Sequence, residues 1–577
     1  MICMLKERNN EREITILSLV FLAIALFIVV RLLILQILQH DYYSLFALNT
    51  HEIYQKLYPA RGSIYYRDAR GDKEYPAAVN RGYYLVYAVP KDIPQDKITE
   101  VGDKLSEIFG FVEEDKTKLL EKLSKSDDPY EPVQKKVDEA TWEKIAALNL
   151  PGIYKASQKF RYYPEANLAS NILGFTGESE NGSLVGSYGL EGYWNKELSG
   201  KSGFLAGEQG ALGSWIASAG RTLVKAEEGR DLVLTLDRSV QNKACAVLKK
   251  GFEEYKAKSA SLILMNPKTG AVYAMCSYPD FDPNNYSKVK NLEEFNNTNI
   301  FTAYEPGSVF KPITMAAALD QNLVNPNTTF QDPCERKIDG FTIKNALKKC
   351  YGRITMTQAL ENSVNTAMIW VQEQLGRGRF QDYVKKFGFG EKTGIELNTE
   401  VEGNISSLEK KGKVYGAVGS FGQGLTVTPM QIATAYAAIA NGGKMPRPYV
   451  VAEQRYADGR KEKTEPRIVE NVISERAAKL LTGMMVSVVE NTYTARVKLD
   501  HYYVAGKTGT AQIPGKGGYT EETNHTFGGF FPADDPGFVM VVKYEAPQRE
   551  WAESTAAPTF KEVAEFVLKY FAVPEER

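Results

Sequence analysis

Two stretches of strand-forming sequence, separated by more than 200 residues rich in helical patterns, set what the second half of this chain can fold into. The first, "ASLILMNPKTGAVYAMCSYP" from Ala260, reads as strand, tight turn, strand. The second comprises "YYVAGKTGTAQ", "HTFGGFFPA" and "FVMVVKYEAP", three strand-like runs joined by loops with Gly, Pro and Asp. Between the two lie "MAAALDQNLV", "TQALENSVNTAMIWVQEQLG" and "TPMQIATAYAAIANGG", and "APTFKEVAEFVLKYF" closes the chain. A strand pair, helices, then three strands and a helix predict an α/β domain whose sheet unites both ends of the segment. Just upstream, "RDLVLTLD" from Arg230 reads as a strand ending in a helix cap, where the texture of the sequence changes.

A chain of 577 residues is too long for one ordinary core. Its N-terminus carries an apolar run, Ile14 to Val30, interrupted only by Thr15 and Ser18 and resumed after Arg31 as "LLILQIL". That is long enough to cross a ~30 Å hydrocarbon core as a helix. Lys6, Arg8 and Arg12 precede the run, and no Lys or Arg occurs from Leu32 to Gln55. The asymmetry predicts a single-pass anchor in the plasma membrane, with the N-terminus cytoplasmic and the rest extracytoplasmic. A cleaved signal peptide would have a shorter apolar core followed promptly by small residues, which this run lacks. The predicted organisation is a tail over 1–13, an anchor over 14–38, a first extracytoplasmic domain over 39–229 and a second over 230–577.

In the first of these domains "GYYLVYAVP" reads as a strand, and Ile98, Val101, Leu105 and Ile108 mark a helix with one buried stripe. Asp115 to Asp138 reads as a solvated helical face plus a turn, and the Gly-rich stretch Ser199 to Gly220 as loops or a hinge. The 70 basic and 71 acidic residues balance, which excludes a nucleic-acid binder. Four scattered histidines argue against a histidine-built metal site and against a Ser-His-Asp triad, so no metal or cofactor is expected. Cys334 and Cys350 flank a short hairpin and are either bonded or two free thiols. Cys245 and Cys276 sit in apolar patterns and are expected as small buried hydrophobes.

Lys-Thr-Gly occurs at Lys268, Lys392 and Lys507. A phosphate-binding loop is excluded for the third copy, because His501 stands where that motif needs Gly. The other setting for Lys-Thr-Gly is a serine acyltransferase of the penicillin-recognising type, which also needs Ser-x-x-Lys and then Ser-x-Asn upstream. Order selects among the copies. Ser179 precedes every Ser-x-x-Lys, leaving Ser363 and Asn365; Ser407 falls after them. Lys268 lies in a hairpin turn, and Lys392 in a Gly-rich loop too close to Asn365. Ser308 is preferred to Ser287 because Pro306-Gly307 breaks the chain just before it. Pro312 is also tolerable only in a first helical turn. Ser308 should therefore open a helix with Lys311 one turn in.

A serine hydroxyl needs somewhere to send its proton, and Lys311 can accept it only as a neutral amine. Burial and a second cation, Lys507, would both depress its pKa. Ser363 is expected between the two lysines as a relay, with Asn365 holding the substrate amide. Lys507, Thr508 and Thr510 would bind a substrate carboxylate, and Gly509 would let substrate backbone pair along the strand. The backbone N–H groups of Ser308 and Thr510 would stabilise the oxyanion, each donor being worth ~3 kcal/mol.

The chain resembles the class B penicillin-binding proteins, and most the division-type (septal) transpeptidases. Beyond the three motifs the resemblance rests on "ARGSI" at Ala60, "GLEGYWNKELSG" at Gly189, "LVLTLDRSVQ" at Leu232, "SFGQGLTVTPMQIATAYAAIANGG" at Ser420 and "AAPTF" near the end. It implies an α/β fold of the penicillin-binding, serine β-lactamase-like type, an antiparallel sheet flanked by helices. This domain would follow an elongated α+β pedestal of the dimerisation type and one transmembrane helix. It also implies a peptidoglycan D,D-transpeptidase whose Ser308 is acylated by the D-Ala-D-Ala end of a stem peptide and by β-lactams. The partners so implied are a SEDS-type membrane glycan polymerase and divisome proteins. The chain departs from the family pattern around Arg67, where Tyr66, Asp68 and Ala69 stand in place of the usual residues. It departs again at Asn171, where His is common.

Two rival readings are less consistent with the sequence. A membrane-anchored β-lactamase needs a carboxylate to activate water, and Glu361, two residues before Ser363, should face elsewhere on a helix. An inactive scaffold or sensor is disfavoured by the intact motifs and by a tail of only about thirteen residues.

Overall fold

The computed structural model describes residues 59–577 apart from 69, 71, 180–183 and 209–221, together with Leu22, residues 26–32 and residues 52–57. The chain divides into two compact units, Met1–Pro59 with Gly200–Glu228, and Ala60–Ser199 with Gly229–Arg577. In the first unit, strands Glu52–Leu57, Gly203–Glu208 and Thr222–Val224 form an antiparallel sheet. Residues expected as Gly-rich loop thus include a strand at 203–208, while 209–220 lie outside the described residues. So does the predicted anchor, except Leu22 and the helical residues 26–32; no helix among the described residues is long and apolar enough to cross a membrane.

In the second unit, strands Ile64–Asp68, Lys73–Ala88, Glu131–Val137 and Ile153–Tyr162 share a sheet with Asp231–Asp237 and Val451–Arg455. The strand expected at Arg230 therefore forms, and Asp237 caps the next helix by accepting from the backbone N–H groups of Ser239 and Val240. It runs parallel to Ile64–Asp68 and so joins this sheet rather than the C-terminal one. The helix read from Ile98 spans Ile98–Phe109 with Ile98, Val101 and Leu105 buried. The charged stretch after Asp115 is helix only to Leu123; Glu131–Val137 is a strand. Val133 and Val137 face the core there, and the charges between them hide the alternation.

The "ARGSI" and "GLEG" segments meet in a buried ion triad. Glu191, fully buried, accepts from Arg61 Nε at 2.7 Å and from Arg161 Nε at 2.6 Å. Such a triad is costly to break, since removing one partner leaves an uncompensated buried charge. The two departures from the family pattern are also satisfied locally. Tyr66 donates to Leu168 O, and Asn171 Nδ2 donates to the carbonyls of Glu294 and Asn296.

The C-terminal sheet unites both ends of its segment, as the sequence predicts. Its strands are β1 (Ser259–Met265), β2 (Val272–Tyr278), β3 (Ala505–Gly515), β4 (Gly518–Phe531) and β5 (Phe538–Glu545), in the order β2-β1-β5-β4-β3. All neighbours are antiparallel, and β3 is an edge. Alternate side chains feed two cores, which is why these strands read as unbroken apolar runs. Leu262, Leu264 and Val542 pack with α1 (Arg238–Glu254) and with the C-terminal helix Ala556–Tyr570. Ile263, Val539 and Val541 pack with α2 (Lys311–Asp320) and with the helices Pro429–Ala440 and Glu475–Asn491.

Cys245 and Cys276 are buried as expected, but they are bonded to each other, with Cα atoms 5.3 Å apart. One lies on α1 and the other on β2; apolar patterning predicts burial without revealing that the two meet across the helix–sheet contact. Cys334 and Cys350 are also bonded, around the hairpin Glu335–Ile338 and Phe341–Lys344. Replacing Cys245 and Cys276 together by alanine should lower stability by about 2–4 kcal/mol. An unchanged denaturation midpoint under non-reducing conditions would mean that the two thiols are not joined.

Candidate active site

Ser308 lies in a 3₁₀ turn, Gly307–Phe310, that runs directly into α2. The sequence predicts an α-helix opening at Ser308; the tighter turn arises because Gly307 enters at φ +57° and Pro312 cannot donate backward. In a 3₁₀ turn residues i and i+3 eclipse, so Ser308 and Lys311 project the same way. The turn is held from outside by Gly307 N–H donating to Gly422 O at 2.9 Å and by Tyr436 OH donating to Val309 O at 2.8 Å.

Ser363 and Asn365 come from the break between α3 (Met356–Glu361) and α4 (Asn365–Leu375). Ser363 has φ +51°, a left-handed conformation that persists only where its surroundings enforce it. Its Oγ lies 2.9 Å from Ser308 Oγ and 3.0 Å from Lys311 Nζ. Lys311, fully buried, also donates to Ser363 O at 2.5 Å and to Asn365 Oδ1 at 2.7 Å. The two remaining acceptors cannot donate, whereas a hydroxyl can do either. Nζ donates to all three, and a neutral amine could turn its lone pair to the Ser363 hydroxyl while keeping its bonds to the two obligate acceptors. Burial pushes the Lys311 pKa well below its ordinary value, and the nearby Lys507 charge pushes it further.

Lys507, Thr508, Gly509 and Thr510 lie on β3. Lys507 is buried, and desolvation lowers its pKa to about 8 against an opposing pull from Glu553. Its Nζ donates to Thr508 O at 3.2 Å. Ser363 thus links Ser308 to Lys311, and the Lys507 charge lies near enough to act on the Lys311 amine. The Thr508 hydroxyl donates to Glu553 at 3.1 Å, and Thr510 Oγ1 accepts from Ala552 N–H at 3.2 Å, which leaves the Thr510 O–H free to donate.

Asn365 Nδ2 donates to Lys344 O at 3.0 Å, so one amide hydrogen remains for a substrate. Gly509 also has a packing role that the sequence does not show. A Cβ there would sit 2.9 Å from Pro306 O and 3.2 Å from Val309 N, so glycine lets β3 lie against the nucleophile turn.

Two carboxylates went unnoticed in the sequence. Glu305, buried, accepts from Gly424 N–H at 3.0 Å and from Tyr519 OH at 2.9 Å, tying three segments around Ser308. Its adjacency to Pro306-Gly307-Ser308 was the available signal. Glu553 had none, since its partners are 45 residues away in sequence. The other Lys-Thr-Gly copies lie where expected: Lys268 is in the β1–β2 turn, paired with Asp535, and Thr393 is bound to Glu400 in a loop.

Comparison with known proteins decides the family. Residues 260–565 match the penicillin binding protein transpeptidase domain, and residues 56–234 match the penicillin-binding protein dimerisation domain. The chain belongs to the penicillin-binding proteins. Stage V sporulation protein D of Bacillus subtilis is 34% identical to this penicillin-binding protein over 507 residues, 87% of this chain and 76% of that one. Peptidoglycan D,D-transpeptidase FtsI of Escherichia coli is 27% identical over 521 residues, 89% of this chain and 84% of that one. Among solved structures, a peptidoglycan synthetase from Bifidobacterium adolescentis superposes with a TM-score of 0.71 at 26% identity, covering 91% of this chain and 98% of that one. Penicillin Binding Protein 2X from Streptococcus thermophilus shares the fold, with a TM-score of 0.74 at 23% identity over 90% of this chain and 80% of that one.

In this penicillin-binding protein Gly509→Ala should slow β-lactam acylation about 100-fold, the usual effect of a ~1 Å misplacement at a reacting centre. The second-order labelling rate checks this; an unchanged rate would mean that β3 and the nucleophile turn can part without consequence.

Proposed function

We infer that the chain is a class B serine D,D-transpeptidase that cross-links peptidoglycan stem peptides through an acyl-enzyme on Ser308, in the service of cell division. The observation that carries this reading is the chain of contacts from Ser308 through Ser363 to the caged, depressed-pKa amine of Lys311. Ser308 Oγ attacks the carbonyl between the two terminal D-alanines while its proton passes through Ser363 to Lys311. The C–N bond then breaks, and the departing D-alanine takes the proton. An amine from a second stem attacks the ester carbonyl. Its nitrogen bonds to the acyl carbon and gives up a proton, the C–Oγ bond breaks, and Ser308 regains its hydrogen. Lys507 and the Thr510 hydroxyl hold the donor carboxylate, and Thr508 joins them by exchanging its bond to Glu553.

The β-lactamase alternative needs a carboxylate to activate water. Glu361 is committed elsewhere, accepting from Ser487 Oγ at 2.6 Å and from Asn491 Nδ2 at 3.1 Å. The N-terminal apolar run supports a membrane anchor with the catalytic region outside, and the resemblance to the division-type transpeptidases supports a SEDS-type polymerase and divisome proteins as partners.

The pH profile tests the assignment of Lys507. Its charge is present below about 8 and lost above it, so affinity for a carboxylate-bearing donor should fall up to tenfold per pH unit on the alkaline side. Protonation of Lys311 sets the acid limb. A donor whose carboxylate is esterified should lose the alkaline dependence; retention of it would count against Lys507 as the carboxylate's partner. The reading as a whole is tested with a thioester donor and an amine acceptor. Amide product supports it, and hydrolysis alone would move the chain to the β-lactamase or carboxypeptidase class.

A further inference from the structure

The mechanism uses Ser308, Lys311, Ser363, Asn365 and β3 to take the donor, and assigns no surface to the acceptor. One segment rooted on the site is built as if to receive something. The disulfide-closed arm Cys334–Cys350 leaves the fold just before α3 and returns to it through Tyr351. Its inner end is registered to the catalytic residues: Lys344 O accepts from Asn365, and Asn345 Oδ1 accepts from Thr366 N–H at 3.1 Å. Asp332, buried, pins the same root by accepting from Asn345 Nδ2, Tyr351 N–H and Thr366 Oγ1.

Beside that rigid root, directly after Asn345, the arm presents an unusual exposed turn, Ala346–Lys348. Leu347 is 78% exposed, and it and Lys348 both sit at positive φ, +56° and +54°. A branched apolar residue held in the left-handed region and in water contributes nothing to the core, and such strain concentrates where a ligand is received. Charge points the same way. From Glu335 to Arg353 there are six basic residues and two acidic ones. Both acids are already engaged, Glu335 by Lys344 and Asp339 by Val414 N–H. Lys348 and Lys349 make no ion pair among the described residues.

We propose that this arm is the docking lip for the acceptor, an amine-bearing peptide whose own carboxylates are met by Lys348 and Lys349 and whose aliphatic part packs on Leu347. The proposal rests on the transpeptidase reading and names the surface that reading leaves unassigned. It places the acceptor beside Asn365, from which its amine reaches the Ser308 ester. A second protein seated on the same turn is the competing occupant. Position decides against it here, because the root of the arm is bonded to the catalytic asparagine rather than to a face remote from the cleft.

The test separates the two half-reactions in the full-length protein. Leu347→Ala and the double variant Lys348→Glu/Lys349→Glu are compared with the unsubstituted chain in two assays. The first is the rate of fluorescent-penicillin labelling, which reads acylation. The second is the ratio of amide to hydrolysis product from a thioester donor, using as acceptor a diamino-acid peptide with free carboxylates or the same peptide fully amidated. Labelling is expected to stay within about twofold, while the amide-to-hydrolysis ratio with the carboxylate acceptor falls at least fivefold in the charge-reversed variant. The amidated acceptor should be unaffected by charge reversal and weakened by Leu347→Ala. An unchanged ratio with the carboxylate acceptor, or an equal fall with both acceptors on charge reversal, would overturn the proposal. No amide from the unsubstituted chain would sink the transpeptidase reading itself, and the proposal with it.

Discussion

A Ser308→Ala protein should take up no penicillin covalently, while its unfolding free energy changes by no more than about 1 kcal/mol. The first half of that result follows from chemistry. Ser308 Oγ is the hydroxyl that connects through Ser363 to a buried amine able to accept its proton. Neither of the other two Ser-x-x-Lys serines, Ser287 or Ser407, makes such a connection among the described residues. The second half follows from packing. Ser308 is half-buried, so deleting one oxygen leaves no cavity of consequence. Labelling that persists in the variant would place the nucleophile elsewhere. A loss of stability comparable to a core deletion would instead mean that the hydroxyl holds the fold.

Lys311→Met should retain the fold and lose about 10³-fold in acylation rate, within the range general-base catalysis contributes. Methionine nearly conserves the volume of a side chain that is already 0% exposed. Burial and the Lys507 charge both favour the neutral amine, and methionine likewise carries no charge. What it does remove are the donors to Ser363 O and Asn365 Oδ1, and each acceptor left unpaired costs about 1–3 kcal/mol. An unfolding free energy lowered by that amount, with Ser308 intact yet almost unreactive, is the expected pair of observations. Arginine at the same position should fare worse than methionine, because it cannot shed its proton and forces a charge into a buried cage. A Lys311→Met protein that is acylated at a normal rate would transfer the role of base to another group.

Much of this was legible in the sequence, for identifiable reasons. The C-terminal sheet was readable because β1 and β5 are buried on both faces and so form unbroken apolar runs. The choice of Ser308, Ser363, Asn365 and Lys507 was readable because the chemistry demands an order that most copies of each motif violate. Pro306-Gly307 and Pro312 then fix where a helix can begin. What could not be read depends on distance or on disguise. "TQALENSVNTAMIWVQEQLG" has the composition of one continuous helix, yet the chain breaks at Ser363, because tertiary contacts hold that residue in a conformation its own propensity disfavours. Glu131–Val137 hides a strand among charges because one of its faces is solvated. Cys245 and Cys276 have the right burial and an unsignalled partner. Glu305 and Glu553 gain their roles only from segments brought together by the fold. Gly509 carries a second constraint that the sequence does not show, from the nucleophile turn packed against the strand.

The most direct test of the central claim is to treat the purified full-length protein with a fluorescent penicillin, digest it, and map the adduct by mass spectrometry while following its lifetime. A single adduct on the peptide containing Ser308, long-lived in water and shortened by an added amine, is the predicted result. An adduct on any other residue, or one on Ser308 that water removes as fast as it forms, would contradict the account.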